Sequence, residues 1–390
     1  MALTPWLSHF KTDFELARRR RQESIAFDAL RCEAFDRFLL LGCPTQADEQ
    51  WRYVDISPIA ERTFTLAAAR PDITNRDQVA PFLLHEAATI ELTFVNGYFV
   101  PQLSNVDRRE TGLVVAPLTT TLGSDAGDDV SLFAQIAPSD CLPMVALNTA
   151  LFEDGACVIV PPDTTLDRPV HVRFICTGDA DAKPAMTQPR ALIVVGDRGA
   201  ARVMESYAGT QQVEYFTNAV TEIVLGEHAR LEHYRLQRES DAAYHISAAH
   251  LIAGPHSTYV AQAVNSGGSL ARSETMATLA GSGAECRVHV TNVAAGHAAV
   301  NVHTVIDHAS TGCVSRQRYG WTLDEHALGV ASGRTTVRSD SSHSRVRYAN
   351  RAVLRSPDAR IDIKPAFDML ASDVAFAQSS RVRRETDALR

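Results

Sequence analysis

The strongest constraint on the fold is a phrase that recurs through residues 158–365. In each copy an apolar run reaches a polar corner, turns at a small residue and continues into a second β-prone run. The small residues, 35, 30, 28, 27, 25, 18 and 32 positions apart, are Thr164, Gly199, Ala229, Ser257, Ala284, Ala309, Ala327 and Ala359. Self-similarity at a period of about 20–50 residues predicts stacked units, each burying its apolar face against its neighbours.

This repeat predicts a mainly β protein built as a parallel β-helix, or solenoid. Each coil would supply strands separated by tight corners, where a bulky side chain does not fit. The alternative is a series of antiparallel hairpins, because turns at regular spacing are also typical of a sandwich or a barrel.

Four zones follow from the pattern along the chain. Residues 1–45 form a predicted helical segment that stops at Gly42 and Pro44. The apolar positions at helical spacing are Phe27, Leu30, Ala34, Phe38 and Leu41. Residues 46–140 form a mixed linker and extended region, with a hairpin turn at Asn96 and Gly97 and an acidic loop at residues 123–129. Residues 141–375 form the β-helix, and residues 376–390 form a short tail that could start a helix but not complete one.

Composition excludes several classes of protein. The chain of 390 residues has 45% hydrophobic residues and a formal net charge of −8, so we expect a soluble protein that does not bind nucleic acid in general. No apolar run approaches the roughly 18 residues that cross a bilayer, and the start lacks a signal-peptide core. We therefore expect a cytoplasmic protein without membrane attachment. The main basic run, residues 18–21, is interpreted as a solvated helix face, with an anionic partner as the alternative.

The cysteines indicate free thiols in a reducing compartment. Their number is odd, they form no CxxC pair, and several lie within apolar runs, which is unlike a disulfide framework, a structural zinc site or a ferredoxin-type cluster. The seven are Cys32, Cys43, Cys141, Cys157, Cys176, Cys286 and Cys313.

One group of residues could ligate a metal. His297, His303, Asp307 and His308 are close in sequence, and imidazole and carboxylate suit zinc or iron. His303 and His308 differ by an odd number of residues, so in a strand they would face opposite sides, and hydrogen-bonded histidines are the competing interpretation. Cys286 and Cys313 lie on neighbouring repeats, where either stacked thiols or buried inert ones would fit. The motifs of hydrolases, P-loop ATPases, zinc proteases and dinucleotide-binding enzymes are absent from the sequence.

Several longer segments resemble a known family. They are EQWRYVDISPI from Glu49, FVNGYFVPQLS from Phe94, ALNTALFEDGACVIVPP from Ala146, YFTNAVTEIVLGEHARLEHYRLQRES from Tyr215, SRQRYG from Ser315 and LRSPDARIDIKP from Leu354, followed by Asp373 and Val374. In this order, over roughly residues 30–375, the chain resembles the SufB/SufD family of iron–sulfur cluster assembly proteins, and SufD more than SufB. The resemblance implies a right-handed parallel β-helix flanked by helical ends. It also implies a non-catalytic scaffold subunit that pairs with SufB and docks on the ATPase SufC.

The chain departs from the family pattern near its end. Where family members usually carry Cys-x-His-Gly-Ala, this sequence has Phe376 and Gln378 in place of the cysteine and histidine. A phenyl ring cannot coordinate iron, and a carboxamide is a poor ligand. The Phe-x-Gly of the family is Ala331-Ser332-Gly333 here, and the family's C-terminal helices that contact SufC have no counterpart in residues 376–390. We therefore expect weakened SufC binding.

The expected partner surface is the final coils, because an uncovered sheet edge invites strand addition by another chain. The candidate interface residues are Val353, Leu354, Ile361, Ile363, Phe367 and Val374. A SufB-like subunit is the expected partner, and a homodimer would use the same feature. We expect the isolated chain to bind no stable cofactor, a transient iron–sulfur cluster being held only by the complex. The alternatives are a degenerate structural paralogue and a β-helical enzyme acting on a polysaccharide, which would need paired carboxylates on one groove face.

Overall fold

The computed structural model describes most of the chain. The described residues are 5–21, 24–70, 72–73, 75–82, 89–106, 113–122, 131–140, 142–178 and 183–385. The acidic loop predicted at residues 123–129 lies outside them.

Strands dominate the chain from residue 155 onward. They are β1 Thr65–Leu66, β2 Ile90–Val95, β3 Tyr98–Phe99, β4 Val114–Pro117, β5 Gly155–Val160, β6 Val170–Cys176, β7 Ala185–Thr187, β8 Arg190–Val195, β9 Ala200–Gly209, β10 Tyr215–Leu225, β11 Arg230–Arg238, β12 Tyr244–Ala253, β13 Thr258–Ser266, β14 Leu270–Leu279, β15 Glu285–Ala294, β16 Ala299–His308, β17 Val314–Leu323, β18 Leu328–Val337, β19 Arg345–Leu354, β20 Arg360–Met369 and β21 Ala375–Arg384. The α-helices are α1 Pro5–Arg20, α2 Ile25–Leu41, α3 Ser57–Ala60, α4 Leu118–Leu122 and α5 Pro143–Leu151. Short 3-10 helices span Glu49–Trp51, Arg76–Gln78, Ala80–Phe82 and Pro101–Leu103.

Successive strands alternate between two sheets, which makes the fold a parallel β-solenoid of about seven turns. Sheet A has the order β20-β18-β16-β14-β12-β10-β8-β5-β4, with β1 and β7 off this path, and sheet B has the order β21-β19-β17-β15-β13-β11-β9-β6-β2-β3. The described pairs are parallel except β2 with β3 and β4 with β5. The solenoid prediction is confirmed over the hairpin alternative, while its right-handedness stays a prediction.

The small corner residues form two columns, one at each edge of the sheets. Gly199, Ala229, Ser257 and Ala284 each precede a strand of sheet B, and the strand registers place them one above another. The next member of this column is Cys313, so the prediction of Ala309 was wrong by four residues. Ala327 and Ala359 belong to the opposite corner, before strands of sheet A. The step of 25 residues therefore arose from the misplaced Ala309, and the step of 18 residues from passing to the opposite corner.

Corner packing can be tested by overfilling one position. Ala229 has 0% exposure, and replacing it with Trp should lower the free energy of unfolding by about 1–3 kcal/mol because the coils above and below leave no room. Gln262→Trp, at an exposed outward position of β13, is the matched control and should change it little. Equal urea midpoints for the wild type and Ala229→Trp would contradict the corner assignment.

The solenoid extends beyond both predicted boundaries. β2 pairs in parallel with β6, so part of the predicted linker region belongs to sheet B. β21 pairs with β19 over ten residues, so the chain after residue 375 is a solenoid strand through Arg384 rather than the start of a helix. The hairpin at Asn96 and Gly97 is confirmed, with φ of 55° and 86°.

The N-terminal segments cover the outer face of sheet A near its start. In α5, Met144 and the seven residues after it are all buried, and α2 packs against α5. The predicted single helical face of α2 is corrected at Leu41, which is 37% exposed. Among the described helices, none is both long and apolar enough to cross a bilayer.

The basic run at residues 18–21 is a solvated helix face at Arg18, Arg19 and Arg20, which are exposed, but not at Arg21. Arg21 donates hydrogen bonds to the carbonyls of Leu151 and Phe152 at the end of α5, at 2.9 and 3.0 Å. Arg31 donates to the Phe152 carbonyl at 2.7 Å. Cations near a helix C-terminus satisfy its last carbonyls and its dipole, so these arginines hold the helices together.

A buried ion pair within sheet A also holds the segments that cover this sheet. Arg190 in β8 and Glu222 in β10 lie 2.6 Å apart with side chains that are 0% exposed. Glu222 also accepts backbone N–H groups of Ala134, Ile136 and Ala137 at 2.9–3.0 Å. The segment before α5 is therefore fixed to sheet A through one carboxylate.

Candidate partner-binding site at the open end of the solenoid

The last described coil has one edge of each sheet without a described partner strand. β20 and β21 are the terminal strands of sheets A and B, and each pairs with a described strand on one side only. Backbone N–H and C=O groups along such an edge are free to pair with a strand from another chain. Both edges lie at the same end of the solenoid, so a partner would meet them together.

Apolar side chains that point into the solenoid are uncovered at this end. In the coil before the last one, Tyr348 is 5% exposed. Its register partner in the last coil is Gln378, and Phe376, which lies two residues before Gln378, is 43% exposed. Val382 is 48% exposed, although its register partner Ala352 is only 2% exposed. These positions would be core if another coil followed, and an apolar surface of this kind marks an interaction site.

An aromatic series leads from the core to this surface. The rings of Tyr319 and Tyr348 are 5.5 Å apart, Tyr348 and Phe367 are 5.5 Å apart, and Phe367 and Phe376 are 4.7 Å apart. Each contact lies within the range of favourable aromatic pairs. Phe376 therefore packs on Phe367 on one side, while its other side is exposed to solvent.

The predicted interface residues divide into four groups, of which Val353 is one. Ile361, Ile363 and Phe367 are partly buried and pack on the core from the last coil, as an end surface requires. Val374 packs half-buried in the corner before β21. Leu354 is 2% exposed in the core, so its prediction as a contact residue is corrected.

Val353 lies one coil below the end, on the outward side of sheet B. It is half-buried there. The sequence prediction missed Phe376 and Val382 as apolar end residues, because it assigned them to a tail. The alternation of apolar and polar residues from Phe376 to Val382 is weak, and only the register with β19 shows which side faces inward.

Phe376 and Gln378 occupy the positions where the family resemblance implied iron ligands. They pair with Val346 and Tyr348, and alternate residues place both on the inward side at the open end. The Phe376 ring packs on Phe367 rather than facing a polar pocket. This arrangement supplies apolar contact area and no thiolate or imidazole.

The histidines of the candidate metal group do not converge. His308 points inward, where its Nε2 lies 2.8 Å from Ser315 Oγ, and His303 points outward, where its Nδ1 lies 3.0 Å from Ser332 Oγ. Their sequence spacing predicted these opposite faces. Burial lowers the pKa of each to about 4, which favours neutral imidazole in a hydrogen bond.

His297 and Asp307 have other contacts. The His297 ring stacks on His326 at the second corner, with centroids 4.8 Å apart, and Asp307 pairs with Arg338 at 2.5 Å. Within the residues that the structure describes, no group of three or more potential ligands has the geometry to hold a metal ion.

Cys286 and Cys313 are both fully buried but are not register partners. Cys286 pairs with Ser315, and Cys313 is a corner residue above Ala284. Burial raises the pKa of the Cys286 thiol to about 12 and also raises that of Cys313. Because the thiolate is the nucleophile and the metal ligand, both cysteines are suited to packing.

His303 borders a cleft near the open end, about 450 Å³ in volume. Its walls come from Glu49, Gln50, Arg52 and Tyr53, and from β16, β18 and β20. Lys364 lies 6.0 Å from the centre of the Tyr53 ring, and Arg334 pairs with both Glu49 and Asp368. The segment that carried the first part of the family resemblance thus braces the outer face of the last coils.

Comparison with known proteins gives one consistent answer. Residues 174–386 match the family described as SUF system FeS cluster assembly, SufBD core domain, and residues 6–172 match the SufBD protein N-terminal region. The chain is 28% identical over 396 residues to an iron–sulfur cluster assembly SufBD family protein of Synechocystis sp., covering 98% of this chain and 86% of that protein. It is 22% identical over 351 residues to the iron–sulfur cluster assembly protein SufD of Escherichia coli, covering 90% of this chain and 79% of that protein.

Proposed function

Because the chain belongs to the SufB/SufD family of iron–sulfur cluster assembly proteins, we propose that it is a SufD-like scaffold subunit with no reaction of its own. The observation that carries the proposal is the uncovered last coil, where two strand edges surround exposed apolar side chains. A solenoid is rigid because each coil is fixed by its neighbours, and its end therefore presents a preformed surface.

The proposed partner is a SufB-like subunit that adds its own strands to β20 and β21. Strand addition would pair the free backbone groups and cover Phe376 and Val382 at the same time. A SufC-like ATPase would belong to the same cytoplasmic complex, since this chain carries no phosphate-binding loop. A second copy of this chain is the competing occupant of the same edges.

The iron–sulfur cluster is cargo of the proposed complex rather than a cofactor of this chain. Phe376 and Gln378 stand where the family pattern has cysteine and histidine, and Cys286 and Cys313 are buried thiols. Iron-binding groups would therefore come from the partner subunit. The same two substitutions favour a second candidate function, a structural paralogue that assembles with the complex but does not contact the cluster.

Size-exclusion chromatography with SufB-like and SufC-like proteins from the same cell tests the proposal. The wild-type chain should elute with the SufB-like protein, and Phe376→Asp should weaken that association by about thirtyfold, because a charge would replace a central apolar contact. Ile252→Asp, at a 37% exposed apolar position of β12, is the matched control. Equal effects of the two variants would refute the assigned surface. A chain that only self-associates would refute the SufB-like partner and favour a second copy of this chain.

Anaerobic reconstitution separates the two candidate functions. The isolated chain should gain no stoichiometric, cysteine-dependent visible absorption and should hydrolyse no ATP. The complex should gain a cluster that is lost or altered when Phe376→Asp disrupts assembly. The structural paralogue would instead be supported if this chain joins the complex normally, but the remaining subunits hold the cluster equally well when this chain is left out. An intrinsic cluster or ATPase activity in the purified chain would contradict both.

A further inference from the structure

The outward face of sheet B is strongly basic over its last four strands. Outward positions of β15, β17, β19 and β21 carry eight arginines and a single acid, Glu285. We call this surface the arginine face. Its arginines are Arg287, Arg316, Arg318, Arg345, Arg347, Arg351, Arg381 and Arg383.

Most of this positive charge has no partner among the residues that the structure describes. Arg287 forms a two-pronged pair with Glu285, at 2.8 Å for each contact, and Arg316 lies 3.9 Å from the same carboxylate. The other six arginines have no ion pair or side-chain hydrogen bond to any described residue, and all six are exposed. They are Arg318, Arg345, Arg347, Arg351, Arg381 and Arg383.

The strand register brings like charges together. Arg287, Arg316 and Arg347 are direct partners in three successive strands, and Arg351 is the partner of Arg381. Adjacent strands lie about 4.8 Å apart, and like charges directly opposite each other destabilise a sheet. Local features that reduce stability without a compensating contact are expected at functional sites.

We propose that the arginine face binds an extended acidic segment of a partner protein. Three strands each carry arginines two residues apart: Arg316 with Arg318, Arg345 with Arg347, and Arg381 with Arg383. Alternate residues of an extended chain are separated by roughly 6.6–6.8 Å, so carboxylates at every second position of the segment match this interval. Arginine also forms two-pronged hydrogen bonds with carboxylates. The inference stands on this surface alone and does not depend on the proposed function.

Other anionic partners fit the surface less well. The twenty outward positions include no Phe, Tyr or Trp on which the bases of a single-stranded nucleic acid could stack. Removing the eight arginines and one glutamate from the formal charge of −8 leaves the rest of the chain at −15. A nucleic acid duplex or a membrane would extend past the arginine face onto β13, which carries no arginine or lysine, whereas a short segment would not.

Fluorescence anisotropy of a labelled ten-residue peptide with alternating Glu and Ser tests the proposal, using the full chain at about 50 mM salt, where screening is weak. The triple variant Arg318→Gln, Arg347→Gln and Arg351→Gln should bind the peptide about tenfold more weakly. Arg19→Gln, Arg52→Gln and Arg360→Gln together remove the same charge from exposed arginines elsewhere and should change binding less than about twofold. Thermal midpoints of both triples should match or exceed that of the wild type.

Three results would overturn the inference. The first is equal binding of a peptide with Gln in place of Glu, and the second is equal weakening by the two triple variants. The third is tighter binding of a 20-base-pair DNA duplex, or of phosphatidylserine vesicles, than of the acidic peptide at about the same salt concentration.

Discussion

Replacing Glu222 with Leu should lower the free energy of unfolding by about 3–5 kcal/mol, the range for breaking a buried ion pair. Arg190 would keep its charge in a site with 0% exposure, with its hydrogen bonds to Asn148 and Thr149 at 3.0 Å and the Phe133 ring 4.8 Å from its guanidinium carbon. The backbone N–H groups of the segment before α5, which donate hydrogen bonds to Glu222, would also lose their acceptor. Leu is close in size to Glu, so loss of packing contributes little.

Urea denaturation of Glu222→Leu beside Asp163→Asn measures this effect. Asp163 pairs with Arg198 at 2.5 Å, but the two side chains are 64% and 56% exposed. Exposed pairs contribute about 0–1 kcal/mol, so the control should move the midpoint little. Similar losses in the two variants would show that burial does not decide the strength of these pairs.

Gly333→Ala should destabilise the protein by about 3 kcal/mol or more, from backbone strain and overpacking together. Gly333 has φ of 141°, a conformation that residues with a side chain rarely adopt, and an added Cβ would overlap the backbone carbonyl of Thr304 in the coil below. The coils cannot separate at this point, because β16 and β18 are paired along ten residues.

Gly320→Ala is the matched control for Gly333→Ala. Gly320 also lies within a solenoid strand, but the nearest atom to an added Cβ is 3.9 Å away and its φ is not positive. Alanine should be neutral or slightly stabilising there, because it restricts the unfolded chain. The strain argument fails if thermal unfolding shows the two variants to be equally stable.

The solenoid could be predicted from the sequence because its corners exclude side chains. Gly199, Ala229, Ser257 and Ala284 are evenly spaced, and the register of the strands confirms them as one column. Ala309 was an error because Cys313, a larger residue, occupies the same corner. The covering of sheet A was beyond prediction, since Arg190 and Glu222 meet the segment before α5 across tens of residues and carry no local pattern.

The open end could be predicted only in part. Ile361, Ile363 and Phe367 were recognisable as β-prone apolar residues near the end of the repeat, but whether Leu354 lies inside or at the surface depends on the number of coils that follow it. The arginine face did leave a signal, the Arg-x-Arg spacing that recurs at Arg316, Arg345 and Arg381. Its significance appears only when the register stacks these pairs on one face.

The two ends of the solenoid differ in how easily they open. Early coils are held by α5 and by the Arg190–Glu222 pair, whereas the final described coil pairs with a described coil on one side only. In a stacked array the terminal unit opens at the lowest free energy, so amide hydrogens of β20 and β21 exchange with solvent before those of the interior strands. A partner chain that adds strands to these edges slows that opening. The folding of the last coil and the binding of the partner are therefore coupled in one equilibrium.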